Sequence, residues 1–128
     1  MTEDQRSGAL TGLKVLVVED QYFLADEISQ ALTDAGADVV GPFREMADGY
    51  EALERNPNLA GAVLDINLDG IMVFPIADAL RARGVPFLFT TGYDERSIPT
   101  AYCDVPRCEK PINAADVIRR LDNLVKQV

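Results

Sequence analysis

The chain has 128 residues, 48% of them hydrophobic, enough for one domain with a real core. A formal net charge of −9, from 21 acids and 12 bases, argues against direct nucleic-acid binding, which needs clustered Lys and Arg to displace phosphate counterions. The absence of histidine removes Ser-His and Cys-His catalysis and most zinc and haem sites, and no run of about 18 apolar residues suggests a membrane span.

The opening MTEDQRSGALTG has no basic start followed by an apolar block, so it is not read as a secretory signal. Small and polar, residues 1–12 are expected to form a flexible tail before a single domain over 13–128, with no output domain. LKVLVV, 13 to 18, is β-branched and almost continuously apolar, as in a strand covered on both faces. YFLADEISQALTDAG then places Leu24, Ile28, Ala31, Leu32 and Ala35 on one helical stripe that stops at Gly36. DVVGPF, 38 to 43, is a second strand, and Met46, Tyr50 and Leu53 follow at helical spacing before Asn56-Pro57.

AGAVLD, 60 to 65, is a third buried strand. VFPIADALRARG reads as a helix with Pro75 in its first turn and Gly84 at its end. VPFLFTT, 85 to 91, is the fourth strand. GYDERSIPTAYCD, 92 to 104, should hold the fourth helix, but Pro99 and a weak apolar period predict a short or irregular one. A weak fifth strand is expected around 105 to 109. In the last helix Asn113 and Asp116 resemble a capping box, ahead of the apolar face of Val117, Ile118, Leu121, Leu124 and Val125. Cys103 and Cys108, in CDVPRC, match no common zinc or thioredoxin spacing and read as thiols in a reducing cytosol. Strands alternating with amphipathic helices imply an α/β, doubly wound, five-stranded parallel sheet.

The polar residues cluster at the C-terminal strand ends, the edge where an open parallel sheet binds its ligands. Strand one delivers Glu19 and Asp20, strand three Asp65, strand four Thr91 and strand five Lys110. Three carboxylates this close raise one another's pKa and do not all stay ionised unaided. A divalent cation resolves the repulsion. Hard oxygen ligands suit Mg²⁺, with Mn²⁺ as its substitute, held by carboxylates together with a phosphate group.

The order ED at strand one, D at strand three, T at strand four and KP after strand five resembles the receiver domain of two-component response regulators, over about residues 13 to 127. VFPIADALRARGVPFLFTTGYDE further resembles the alphaproteobacterial FAT GUY subgroup, although Thr90 stands where that subgroup usually has Ala. The resemblance implies a flavodoxin-like (β/α)5 fold of strand order 2-1-3-4-5. It makes Asp65 the phosphoacceptor, with Glu19, Asp20 and the backbone carbonyl of Asn67 completing the Mg²⁺ site. Thr91 and Lys110 become the phosphoryl-binding pair, and the bond before Pro111 is expected to be cis.

By the same likeness the protein is not an enzyme with turnover but a stand-alone cytoplasmic signalling phosphoacceptor. It is served by a sensor histidine kinase of the HWE or HisKA2 class, and it acts by binding a downstream protein or as a phosphate sink. No nucleic acid, membrane or dimer partner is implied. One departure is Arg107, where many receivers carry an aromatic that swings inward with the Thr. Tyr93 and Tyr102 are candidates to replace it, and GYDERSIPTAYCD is a candidate switch element. Among rivals, a haloacid-dehalogenase-like phosphatase needs a second acid at Asn67 and a cap domain, and a dinucleotide-binding domain needs a glycine-rich turn where EDQ stands. A pseudo-receiver that is never phosphorylated usually lacks an acid or the lysine, and this chain keeps them all.

Overall fold

The computed structural model describes residues 8–92 and 98–127. Five parallel strands form one sheet: β1 (Lys14–Val18), β2 (Asp38–Phe43), β3 (Gly61–Asp65), β6 (Phe87–Thr91) and β7 (Arg107–Glu109). Their order across the sheet is β2-β1-β3-β6-β7, the doubly wound order expected from the sequence. The chain reverses direction across the sheet between β1 and β3, which opens a crevice at the strand C-termini. A small hairpin that the sequence pattern did not announce, β4 (Asn67–Leu68) with β5 (Ile71–Met72), follows β3. Its turn is Asp69-Gly70, both with positive φ (54° and 93°), and the Asn67 side chain accepts from the Gly70 N–H at 2.6 Å.

Among the described residues four α-helices cover the sheet: α1 (Tyr22–Asp34), α2 (Met46–Arg55), α3 (Phe74–Ala82) and α4 (Ala114–Lys126). Strand residues alternate between two cores, as a pleated sheet requires. Val15, Val17, Val63, Leu88 and Cys108 pack with Ile28 and Leu32 of α1 and Val117 and Leu121 of α4. Leu16, Val18, Leu64 and Phe89 pack with Leu53 of α2 and Ile76 and Leu80 of α3. Central β3 is buried along its whole length, which is why its sequence is apolar up to the terminal acid.

Two expectations need adjusting. Residues 8–12, taken as part of a flexible tail, are docked on the C-terminal end of α1. Leu10 is fully buried, its N–H bonds the Ala35 carbonyl at 3.1 Å, and the Gly12 N–H bonds that of Gly36. Gly8 comes so close that a Cβ there would lie 2.3 Å from the Ala35 carbonyl oxygen. One buried leucine among polar residues is enough to hold the segment. At α4, Asn113 does cap the helix by accepting from the Ala115 N–H at 2.9 Å, whereas the Asp116 carboxylate turns to Arg119 and Arg120.

Between β6 and β7 the described residues hold one turn of 3₁₀ helix, Thr100–Tyr102, in line with the irregular segment expected around Pro99. Cys103 is exposed and Cys108 buried, both as free thiols. Among the described residues no helix is long and apolar enough to cross a membrane.

Candidate functional site

The strand pleat decides which polar side chains meet. Glu19, Asp65, Thr90 and Lys110 stand two residues beyond Val17, Val63, Leu88 and Cys108, so they project toward the same face of the sheet. Register aligns them as well: Val18 pairs with Leu64 and Asp65 with Thr90, which leaves Glu19 and Thr90 flanking Asp65 on either side of β3. Lys110 is set by the continuing β6–β7 ladder, its N–H bonding the Thr91 carbonyl at 2.8 Å. The Lys110–Pro111 peptide is cis, as is Gly41–Pro42.

The side chains form one connected cluster. Lys110 Nζ lies 3.3 Å from Asp65 Oδ2 and 3.4 Å from Glu19 Oε2. Thr90 Oγ1 donates to Glu19 Oε1 at 3.1 Å, and the Gln21 N–H donates to Glu19 Oε2 at 3.1 Å. The Asn67 N–H donates to Asp65 Oδ1 at 3.3 Å. Glu19 and Asp65 are each only 1% exposed, while Asp20 and Lys110 are half-buried. Glu19, Asp20 and Asp65 each offer one carboxylate oxygen within 4.8 Å of the others. That donor set is hard, anionic and compact, and it fits a divalent cation with oxygen preference.

Electrostatically the cluster is under tension. Burial, followed by the neighbouring Glu19 and Asp20 carboxyls, pushes the Asp65 carboxyl from 3.8 up to about 9, with Lys110 pulling the other way. Burial disfavours the charge on Lys110, but Glu19 and Asp65 together outweigh it and hold the ammonium above its ordinary pKa. Above the acids is an open pocket of about 290 Å³ lined by Asp20, Gln21, Asp65, Asn67, Gly92 and Lys110 among others. A larger depression of about 600 Å³ lies alongside, between Asp20, Arg44, Met46, Leu68 and Ile71, and includes neither Asp65 nor Lys110.

The other residues singled out from sequence fall as follows. Thr91 is buried at the end of β6, and its hydroxyl donates to the Gly92 carbonyl at 3.0 Å. Asn67 begins the β4–β5 hairpin on the rim of the pocket. Tyr102 packs in the α2/α3 core away from the acids: its ring stacks on Phe74 at 4.5 Å, its hydroxyl bonds Asp78 of α3, and Arg81 sits over its face. Tyr93 lies outside the described residues. Thr90, not among the residues expected at the site, joins it through its hydroxyl, which touches Glu19. Thr90 shares its pleat face with Leu88 and hence with Asp65, a parity set by the pairing of β3 with β6.

No family model matches the chain, and no curated protein matches it. Solved structures do. SdrG from Sphingomonas melonis Fr1 is 30% identical, over 93% of this chain and 98% of SdrG, with a TM-score of 0.78. A response regulator receiver protein from Sinorhizobium medicae WSM419 is 23% identical over 89% of this chain and 94% of its own, with a TM-score of 0.74. The response regulator PhyR from Brucella abortus is 20% identical over 99% of this chain, which spans 54% of PhyR, with a TM-score of 0.74. A doubly wound sheet with an acidic cluster and a lysine at its carboxyl edge defines a receiver-type protein. The chain belongs to the response regulator receiver domains.

Proposed function

We propose that the protein accepts a phosphoryl group on Asp65 from the phosphohistidine of a sensor histidine kinase, in a Mg²⁺-dependent reaction, and so carries a two-component signal. The observation that carries this reading is the pairing of Asp65 with Lys110 at 3.3 Å beside the Glu19–Asp20 pair. An Asp65 oxygen attacks phosphorus, the phosphorus–nitrogen bond breaks, and the electron pair leaves with the imidazole. Lys110 neutralises charge on the transferred group, and Glu19, Asp20, Asp65 and the Asn67 carbonyl would hold the ion. Bound Mg²⁺ supplies further compensation for the phosphoryl oxygens, the main requirement of such transfers.

The Thr91 hydroxyl, now turned to the Gly92 carbonyl, rotates to bond the phosphoryl oxygen and biases the protein toward its phosphorylated state. The protein is thus a phosphoacceptor that assists only its own modification, and a histidine-kinase donor puts the reaction in the cytoplasm. The FTTGY sequence supports the FAT GUY subgroup and an HWE or HisKA2-class kinase. PhyR from Bartonella quintana is described as an anti-anti-sigma factor, and that likeness favours phosphorylation-controlled protein binding over a phosphate sink.

The test is intact mass after incubation with acetyl phosphate or a phosphorylated HWE-class kinase, with and without Mg²⁺, for wild type and Asp65→Asn. A Mg²⁺-dependent gain of one phosphoryl group, lost in the variant, is expected. No gain from either donor, or a gain that survives in Asp65→Asn, refutes the assignment.

A further inference from the structure

Glu19 is the longer acid of the pair, and the structure gives its extra methylene a purpose. Glu19 and Thr90 stand on strands either side of β3, with backbones two strand spacings, about 9 to 10 Å, apart. Their side chains nevertheless meet at 3.1 Å, next to Asp65. Both residues are buried, Thr90 at 0% and Glu19 at 1% exposure, so the two groups partner each other away from bulk solvent. The second oxygen, Oε2, is already held by the Gln21 N–H and by Lys110. Both oxygens of the Glu19 carboxylate are therefore held by named groups, and Thr90 is the partner of Oε1.

We propose that Thr90 is a positioning residue for the metal site: its hydroxyl meets the Glu19 carboxylate beside β3 and fixes it in the orientation that lets it share one cation with Asp20 and Asp65. The inference rests on the receiver reading above, and it goes further by assigning a role to a residue beside the strand-end threonine. A hydrogen bond from a supporting residue to a metal-ligating side chain typically changes metal affinity ten- to a hundredfold when lost. Because Thr90 acts through Glu19, its removal weakens metal binding without touching the phosphoryl group. An aspartate at position 19 is one methylene too short for the contact, so the two residues form a length-matched pair.

The experiment is calorimetric titration of the full chain with Mg²⁺, and separately Mn²⁺, for wild type, Thr90→Val, Thr90→Ser, Glu19→Asp and the Thr90→Val/Glu19→Asp double variant. Far-UV circular dichroism checks folding, and Thr90→Ala replaces Thr90→Val if the valine does not fit. Thr90→Val is expected to weaken Mg²⁺ binding roughly tenfold. Thr90→Ser, which keeps the hydroxyl, stays within about twofold, and Thr90→Val adds less than about twofold in the Glu19→Asp background. Acetyl-phosphate labelling gives an independent reading: the Mg²⁺ concentration for half-maximal rate rises by the same factor in Thr90→Val, while the rate at saturating Mg²⁺ is unchanged.

An unchanged Mg²⁺ constant in Thr90→Val, a full additive effect in the double variant, or a loss of saturating rate at unchanged Mg²⁺ affinity overturns the proposal. A wild type that binds Mg²⁺ but takes no phosphoryl group refutes the receiver function alone, and the titration still decides the role of Thr90. A wild type that binds neither cation overturns both.

Discussion

Replacing Asp65 by Asn should make the metal-free protein more stable, although it removes a buried residue with two hydrogen-bonding partners. The carboxyl is carried into the fold beside two other acids and is pushed up to about 9, chiefly by burial and then by Glu19 and Asp20. A carboxyl raised above its unfolded value contributes fully to stability only below about 3.8, and that contribution is lost as pH rises toward about 9. At pH 7 the relevant span runs from 3.8 to 7, which bounds the cost at about 4 kcal/mol with ~1.4 kcal/mol per pH unit. Asn still occupies the site but has one acceptor oxygen where the carboxyl has two for the Asn67 N–H and Lys110, so about half of that bound, ~2 kcal/mol, is the expected gain. The gain should shrink toward pH 5 and grow toward pH 8.5.

The chain has no tryptophan, so urea unfolding in a chelator is best followed by far-UV circular dichroism at those three pH values. Added Mg²⁺ should stabilise wild type and close the gap, since a ligand that binds only the folded state stabilises it by mass action. Asp65→Asn less stable than wild type at pH 7, or a difference that ignores pH, refutes the argument that these acids oppose one another in the absence of metal.

Two other substitutions probe the frame around the site. Leu10→Ala should cost about 2 to 4 kcal/mol in urea unfolding, because Leu10 is fully buried against α1; a change near zero would mean that residues 8–12 fray. Tyr102→Phe should cost about 1 kcal/mol through loss of the hydroxyl's bond to Asp78, and Tyr102→Ala about 3 or more through loss of the stack on Phe74. Equal thermal midpoints for Tyr102→Phe and Tyr102→Ala would show that the ring carries nothing.

The sheet and the acids were legible because each rests on a local pattern. Apolar runs of strand length ended in Glu19-Asp20, Asp65 and Thr91, and a parallel sheet collects its strand ends on one edge whatever the details of pairing. Leu10 was not legible, since a single apolar residue in a polar stretch has no period to announce it. The β4–β5 hairpin was hidden for a related reason: two-residue strands are too short for alternation to show, and only the Asp69-Gly70 turn marked it.

Thr90 is the most instructive omission. Choosing between adjacent threonines requires the pleat parity of β6 relative to β1 and β3, and that depends on a register fixed by tertiary pairing rather than by either segment alone. Once Val63 and Leu88 are known to share a face, Asp65 and Thr90 must share it too, two residues on. Glu19 then meets the Thr90 hydroxyl from the far side of β3 because its chain is long enough to reach over. The residue two strands away in the sheet and 71 positions away in the chain is thus a direct neighbour of the first acid, and Thr91, next to it in sequence, is not.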